Sequence, residues 1–161
     1  MLRLNRITDY AVVVLTQMVR EPAKLVTAPQ LSDDSNVPAP TVAKVLKALA
    51  KEGVLASQRG VNGGYLLARP ANRISMLEVI RALEGPVNLT ACVDGAEGDC
   101  DVEQICPVRG NWDRVNQAIR QALDGVSLED MAVQTMFGVP FEATASTHAG
   151  RRALSDTPHD A

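Results

Sequence analysis

Residues 38–68 read Pro38-Ala39-Pro40-Thr41-Val42-Ala43-Lys44-Val45-Leu46-Lys47-Ala48-Leu49-Ala50-Lys51-Glu52-Gly53-Val54-Leu55-Ala56-Ser57-Gln58-Arg59-Gly60-Val61-Asn62-Gly63-Gly64-Tyr65-Leu66-Leu67-Ala68, and the hydrophobic period changes at Gly53. Before the glycine, Val42, Val45, Leu46 and Leu49 recur at helical spacing, so they form an inward stripe. Thr41, Lys44, Lys47 and Lys51 fall on another face. Proline is tolerated at the entry because the first-turn N–H groups have no intrahelical partner. Beyond Gly53, Val54–Gln58 and Tyr65–Ala68 flank the glycine-rich Arg59–Gly64, which is the pattern of a β-hairpin with a tight tip.

Upstream, Ile7, Tyr10, Ala11, Val14, Leu15 and Met18 predict an amphipathic helix that stops near Glu21-Pro22. A shorter helix is expected over Ala28–Ser35, anchored by Leu31, with a turn over Asn36–Pro40. Downstream, Ser75-Met76-Leu77-Glu78 has capping-box spacing and opens a helix through Val79, Ile80 and Leu83 that ends at Gly85-Pro86. Residues 88–107 read as a loop. A helix from about Val108 to Leu123 follows, striped by Trp112, Val115, Ile119 and Ala122, and Ser127 caps a short one through Leu128 and Met131. From about Pro140 the chain is small, polar and aperiodic, which predicts disorder. The expected organisation is a head over 1–85, a cysteine loop over 86–107, helices over 108–135 and a tail over 136–161.

The 161 residues are 46% apolar, 22% charged and only 3% aromatic, so aliphatic side chains supply the core of about one domain. No apolar run reaches the 18 or so residues of a membrane-spanning helix. The start of the chain leads into an amphipathic pattern rather than a signal peptide, which gives the expectation of a cytoplasmic protein. The net charge of −3 conceals an asymmetry: residues 1–85 carry 11 Lys/Arg against 7 Asp/Glu, and residues 86–161 carry 5 against 12. The basic half is suited to a polyanion.

Three helices followed by a hairpin is the element order of a winged helix-turn-helix, so the expected fold is mostly α with a small β-wing. In that arrangement the third helix enters the major groove of double-stranded DNA, and the wing touches the neighbouring backbone or minor groove. Lys44 and Lys47 can neutralise phosphates, and Thr41 can reach a base edge or a phosphate. Arg59 can lead the wing tip, with Gly60 allowing close approach. A lysine stripe alone is equally the solvated face of a surface helix; the element order, the basic tip and the charge of this half favour DNA.

Cys92, Cys100 and Cys106 are spaced C-x7-C-x5-C. An odd number of cysteines argues against a secreted disulfide framework, and thiolates suit an iron–sulfur cluster, zinc or copper(I). Structural zinc favours paired C-x2–4-C spacing, whereas three loosely spaced thiolates suit a cluster with a fourth ligand from elsewhere. Regulatory thiols, or cysteines with no special role, are the other readings. Asp94, Glu97, Asp99, Asp101 and Glu103 crowd this loop without a Lys or Arg between Cys92 and Cys106, so it should be poorly ordered without metal.

Thr8-Asp9-Tyr10-Ala11, Arg59-Gly60-Val61-Asn62-Gly63-Gly64-Tyr65 and three cysteines before a long helix together resemble the IscR/NsrR family, the Rrf-two superfamily of bacterial winged-helix transcription regulators. The segment Gly98-Asp99-Cys100 through Cys106-Pro107-Val108-Arg109-Gly110-Asn111-Trp112 looks most like its branch of regulators of SUF-type iron–sulfur assembly. The resemblance spans about residues 1–135. It implies a homodimer with the helix from near Val108 as its interface, and a two-iron or four-iron cluster held by Cys92, Cys100 and Cys106. The IscR-like pattern has a histidine three residues after the last cysteine; here that residue is Arg109, which stays protonated and cannot ligate. The NsrR-like pattern takes an aspartate from the partner's first helix, and Asp9 stands at that position, where a plain exposed carboxylate is the other reading. His148 and His159 fall in the tail. Pro38, Pro40 and Ala43 replace polar base-reading residues of the IscR-like helix, which implies a different operator.

The expected function is therefore a repressor of iron–sulfur assembly genes that senses cluster status. An iron–sulfur carrier or electron-transfer module, and a thiol-switched repressor without a cluster, are the alternatives. No nucleophile–base pairing or phosphate-binding loop suggests an enzyme or a small-molecule substrate.

Overall fold

The computed structural model describes residues 3–90, 93 and 111–133. Helix α1 (Arg6–Arg20) starts at Asn5, whose side chain accepts from the Ile7 N–H, and buries Thr8, Ala11, Val14, Leu15 and Met18 on one face. Helix α2 (Ala28–Ser35) opens with a Thr27–Gln30 capping box and closes on Asn36, which takes the left-handed conformation at φ 57°. Asparagine tolerates that region better than other residues with a Cβ. It turns the chain into α3 (Ala39–Lys51), which buries Val42, Val45, Leu46 and Leu49 as the periodicity predicts.

Strands β1 (Leu55–Gln58) and β2 (Gly64–Leu67) pair antiparallel, Leu55 opposite Leu67 and Gln58 opposite Gly64. A single bridge between Val26 and Tyr65 fastens the hairpin to the segment before α2. A 3-10 turn (Ala71–Arg73), absent from the periodicity, follows the hairpin. Helix α4 (Met76–Glu84) then opens on the Ser75–Glu78 capping box. One aliphatic core unites Leu15, Leu31, Leu46, Leu49, Val54, Ile74 and Val79.

Helix α5 (Asn111–Asp124) packs on α4, and α6 (Leu128–Ala132) returns to α1. The sequence groups α6 with the preceding helix, yet fully buried Leu128 belongs to the core of the head. Backbone hydrogen bonds hold it there, from the Leu128 N–H to the Ile74 carbonyl and from the Met76 N–H to the Val126 carbonyl, both 2.8 Å. A five-residue helix is too short to show this docking by periodicity. The expected start of α5 at Val108, the cysteines and the tail over 136–161 lie outside the described residues.

Candidate nucleic-acid interface and the root of the cysteine segment

Helix α3 packs its stripe of Val42, Val45, Leu46 and Leu49 into the core, which leaves Lys44, Lys47 and Lys51 exposed beside Pro40 and Ala43. Thr41 is half-buried on the flank of the first turn, its N–H bonded to the Pro38 carbonyl at 2.8 Å. The N-cap position is Pro38, which supplies no side-chain cap. Elsewhere in the head, Lys24 pairs with Glu21, which raises its pKa, and Arg69 meets Glu78 at 2.9 Å. The lysines of α3 therefore give the head an exposed cationic face.

The wing tip is set by backbone geometry. The Gly63 N–H donates to the Gly60 carbonyl at 3.0 Å, closing a turn over Val61 and Asn62. Gly60 has φ +115°, where a side chain is strained, and a Cβ on Gly63 would press on the Gln58 carbonyl oxygen. Arg59 and Gly60 are exposed at this tip. So is Val61, whose only mark in the sequence is an apolar side chain between turn-forming Gly60 and Asn62-Gly63.

Asp9 is exposed on α1, at a groove of about 700 Å³ also lined by Arg6, Val12, Met76 and Met131. One residue earlier, fully buried Thr8 donates its hydroxyl to Glu84, and the same carboxylate oxygen accepts the Asn5 N–H at 2.8 Å. Glu84 thus ties the start of α1 to the end of α4, where the chain leaves for Cys92. An acid is disfavoured at a helix C-terminus and favoured at an N-terminus, so the latch offsets the poor position of Glu84 on α4. The exit is held again at Leu89, whose N–H donates to Asn116 of α5 at 3.1 Å, and Val93 is buried. Cys92, Cys100 and Cys106 lie outside the described residues, among which no group of three or more His, Cys, Asp or Glu could hold a metal. On α5, Trp112 and Val115 remain 41% and 44% exposed, an apolar stripe that the head does not cover.

Three helices, a hairpin fastened to them and an exposed lysine face define a winged helix-turn-helix DNA-binding protein. The sequence profile of the Rrf2 family, described as an iron-dependent transcriptional regulator, matches residues 4–134, and the chain belongs to that family. It is 29% identical over 131 residues to the HTH-type transcriptional regulator NsrR of Bacillus licheniformis, covering 81% of this chain and 92% of the relative. It is 40% identical over 83 residues to the HTH-type transcriptional regulator IscR of Xenorhabdus nematophila, covering 52% and 49%. The fold also matches CymR, the global cysteine regulator of B. subtilis, with a TM-score of 0.62 at 23% identity over 82% of this chain and 97% of that one. The protein is a DNA-binding transcriptional regulator, in a family of regulators rather than enzymes. Among the described residues no helix is long and apolar enough to cross a membrane.

Proposed function

We propose that the protein is a homodimeric repressor of SUF-type iron–sulfur assembly genes that senses cluster status through its cysteine segment. The observation that carries this reading is the root of that segment: the chain leaves α4 at the Glu84 latch and is tied to α5 by the Leu89–Asn116 hydrogen bond. A change beyond Leu89 therefore bears on α1, which helps build the head, and on the helix with the uncovered apolar stripe. Cys92, Cys100 and Cys106 would hold the cluster as thiolates, with exposed Asp9 of a second copy as the fourth donor; this soft set with one carboxylate fits an iron–sulfur cluster. When bound, the cluster supplies a link whose presence depends on iron supply and oxidation. In the DNA-bound protein Lys44 and Lys47 contact phosphates, and Thr41, Arg59 and Gly60 contribute to operator choice. Trp112, Val115 and Ile119 pack against the same helix of the partner.

The test is anaerobic purification with iron and acid-labile sulfide counted per chain. Matching amounts of both, lost in Cys100→Ser, are the expected result, with an altered visible spectrum in Asp9→Ala. Zinc, or no metal at all, would overturn cluster sensing and leave a structural site or a thiol switch.

A further inference from the structure

Val61 has a relative exposure of 105%, the highest among the exposed large apolar side chains of the described residues, and it sits at the apex of the wing. No described residue covers it, and the turn closed by Gly60 and Gly63 sets where it stands. A branched apolar side chain held outward at the tip buries no surface on folding, so it is available to whatever the tip meets. Its neighbour Arg59 is exposed and cationic, and the hairpin follows directly from the lysine-faced α3. That setting selects a polyanionic duplex over an apolar protein surface as the occupant.

We propose that Val61 is an apolar specificity residue, inserted by the wing into the minor groove of the operator, where it favours A·T over G·C pairs. The proposal rests on the DNA-binding reading of the head. In the minor groove A·T pairs present only acceptors above a smooth floor, whereas guanine adds its N2 amino group, which an apolar side chain meets sterically and leaves without a partner. Arg59 then supplies charge and Val61 supplies shape. The two separate by salt: neutralising a phosphate releases counterions and an apolar insertion does not.

The experiment uses the full-length chain and a duplex that it selects from a random pool, with the wing position mapped by footprinting. Affinity is measured across a salt series on versions carrying A·T or G·C pairs beneath the wing. Val61→Ser should weaken binding to the A·T duplex about tenfold, leave the salt slope unchanged and shrink the A·T preference. Val61→Ile should retain both affinity and preference. Arg59→Ala should lower the salt slope by about one for each phosphate no longer neutralised. Unchanged affinity in Val61→Ser, or equal weakening on both duplexes, would overturn the proposal while DNA binding stands. A wild-type chain that selects no duplex would overturn the DNA-binding reading itself.

Discussion

The Glu84 latch gives a prediction whose size can be worked from its geometry. Removing the carboxylate in Glu84→Ala takes one acceptor from two donors. The Asn5 N–H is exposed and water replaces its partner at little cost. The Thr8 hydroxyl is fully buried, and an orphaned buried hydroxyl costs about 1–3 kcal/mol. Glu84 itself is exposed, so partial access for water places the expected destabilisation near the lower half, about 1–2 kcal/mol. Thr8→Val removes the donor and leaves no buried polar atom behind, so it should cost less, about 0.5–1 kcal/mol. The double variant should cost less than the sum of the two by about 1 kcal/mol. Urea unfolding at one fixed protein concentration reads all three, the concentration being held because self-association shifts apparent stability. Additive effects, or a Glu84→Ala protein as stable as wild type, would refute the latch.

Leu128→Ala should destabilise the head by about 2–5 kcal/mol, since a fully buried leucine is removed from a core that α6 closes; a change below about 1 kcal/mol by urea unfolding would show that α6 is not docked. Lys44→Ala with Lys47→Ala should lower the salt slope of DNA binding by roughly 0.9 for each phosphate left unneutralised, up to about 3.6 when both lysines of both protomers reach phosphates. At α6 the Ser127 hydroxyl and N–H donate to Asp130 and hold its carboxyl below the usual carboxylate range. The depressed pKa means that this cap stabilises above the unfolded-state carboxylate value and is lost as pH falls through the folded one. A carboxyl titration of Asp130 by NMR should therefore show a midpoint below that of an ordinary aspartate, and Ser127→Ala, which removes the hydroxyl and keeps the backbone N–H, should move it part of the way back.

Much of the head was legible because its signals are local. The stripes of α1 and α3, the Ser75–Glu78 box and the glycine-rich tip are each fixed by spacing over a few residues, and the structure reproduces them. The docking of α6 was not legible, because Leu128 meets Ile74 and Val126 meets Met76 across some 50 residues of chain, and the helix is too short to carry a period. The Glu84 latch was hidden for a related reason. Its partners are Asn5 and Thr8, and pairings of that sequence separation leave no local pattern, only an acid at the unfavourable end of a helix. Thr41 shows a finer limit: the helical wheel places it near the lysine face, and the packing of the first turn half-buries it.

The central claim is that cluster occupancy and DNA affinity are linked, which requires the cluster to be held with different affinity in the free and the DNA-bound protein. The most direct test is anaerobic titration of one selected duplex with cluster-loaded protein and with the same preparation after the cluster is stripped, at matched salt. Linkage predicts dissociation constants that differ by at least about fivefold, the lower end of ordinary coupling. Equal constants for the two forms would contradict it.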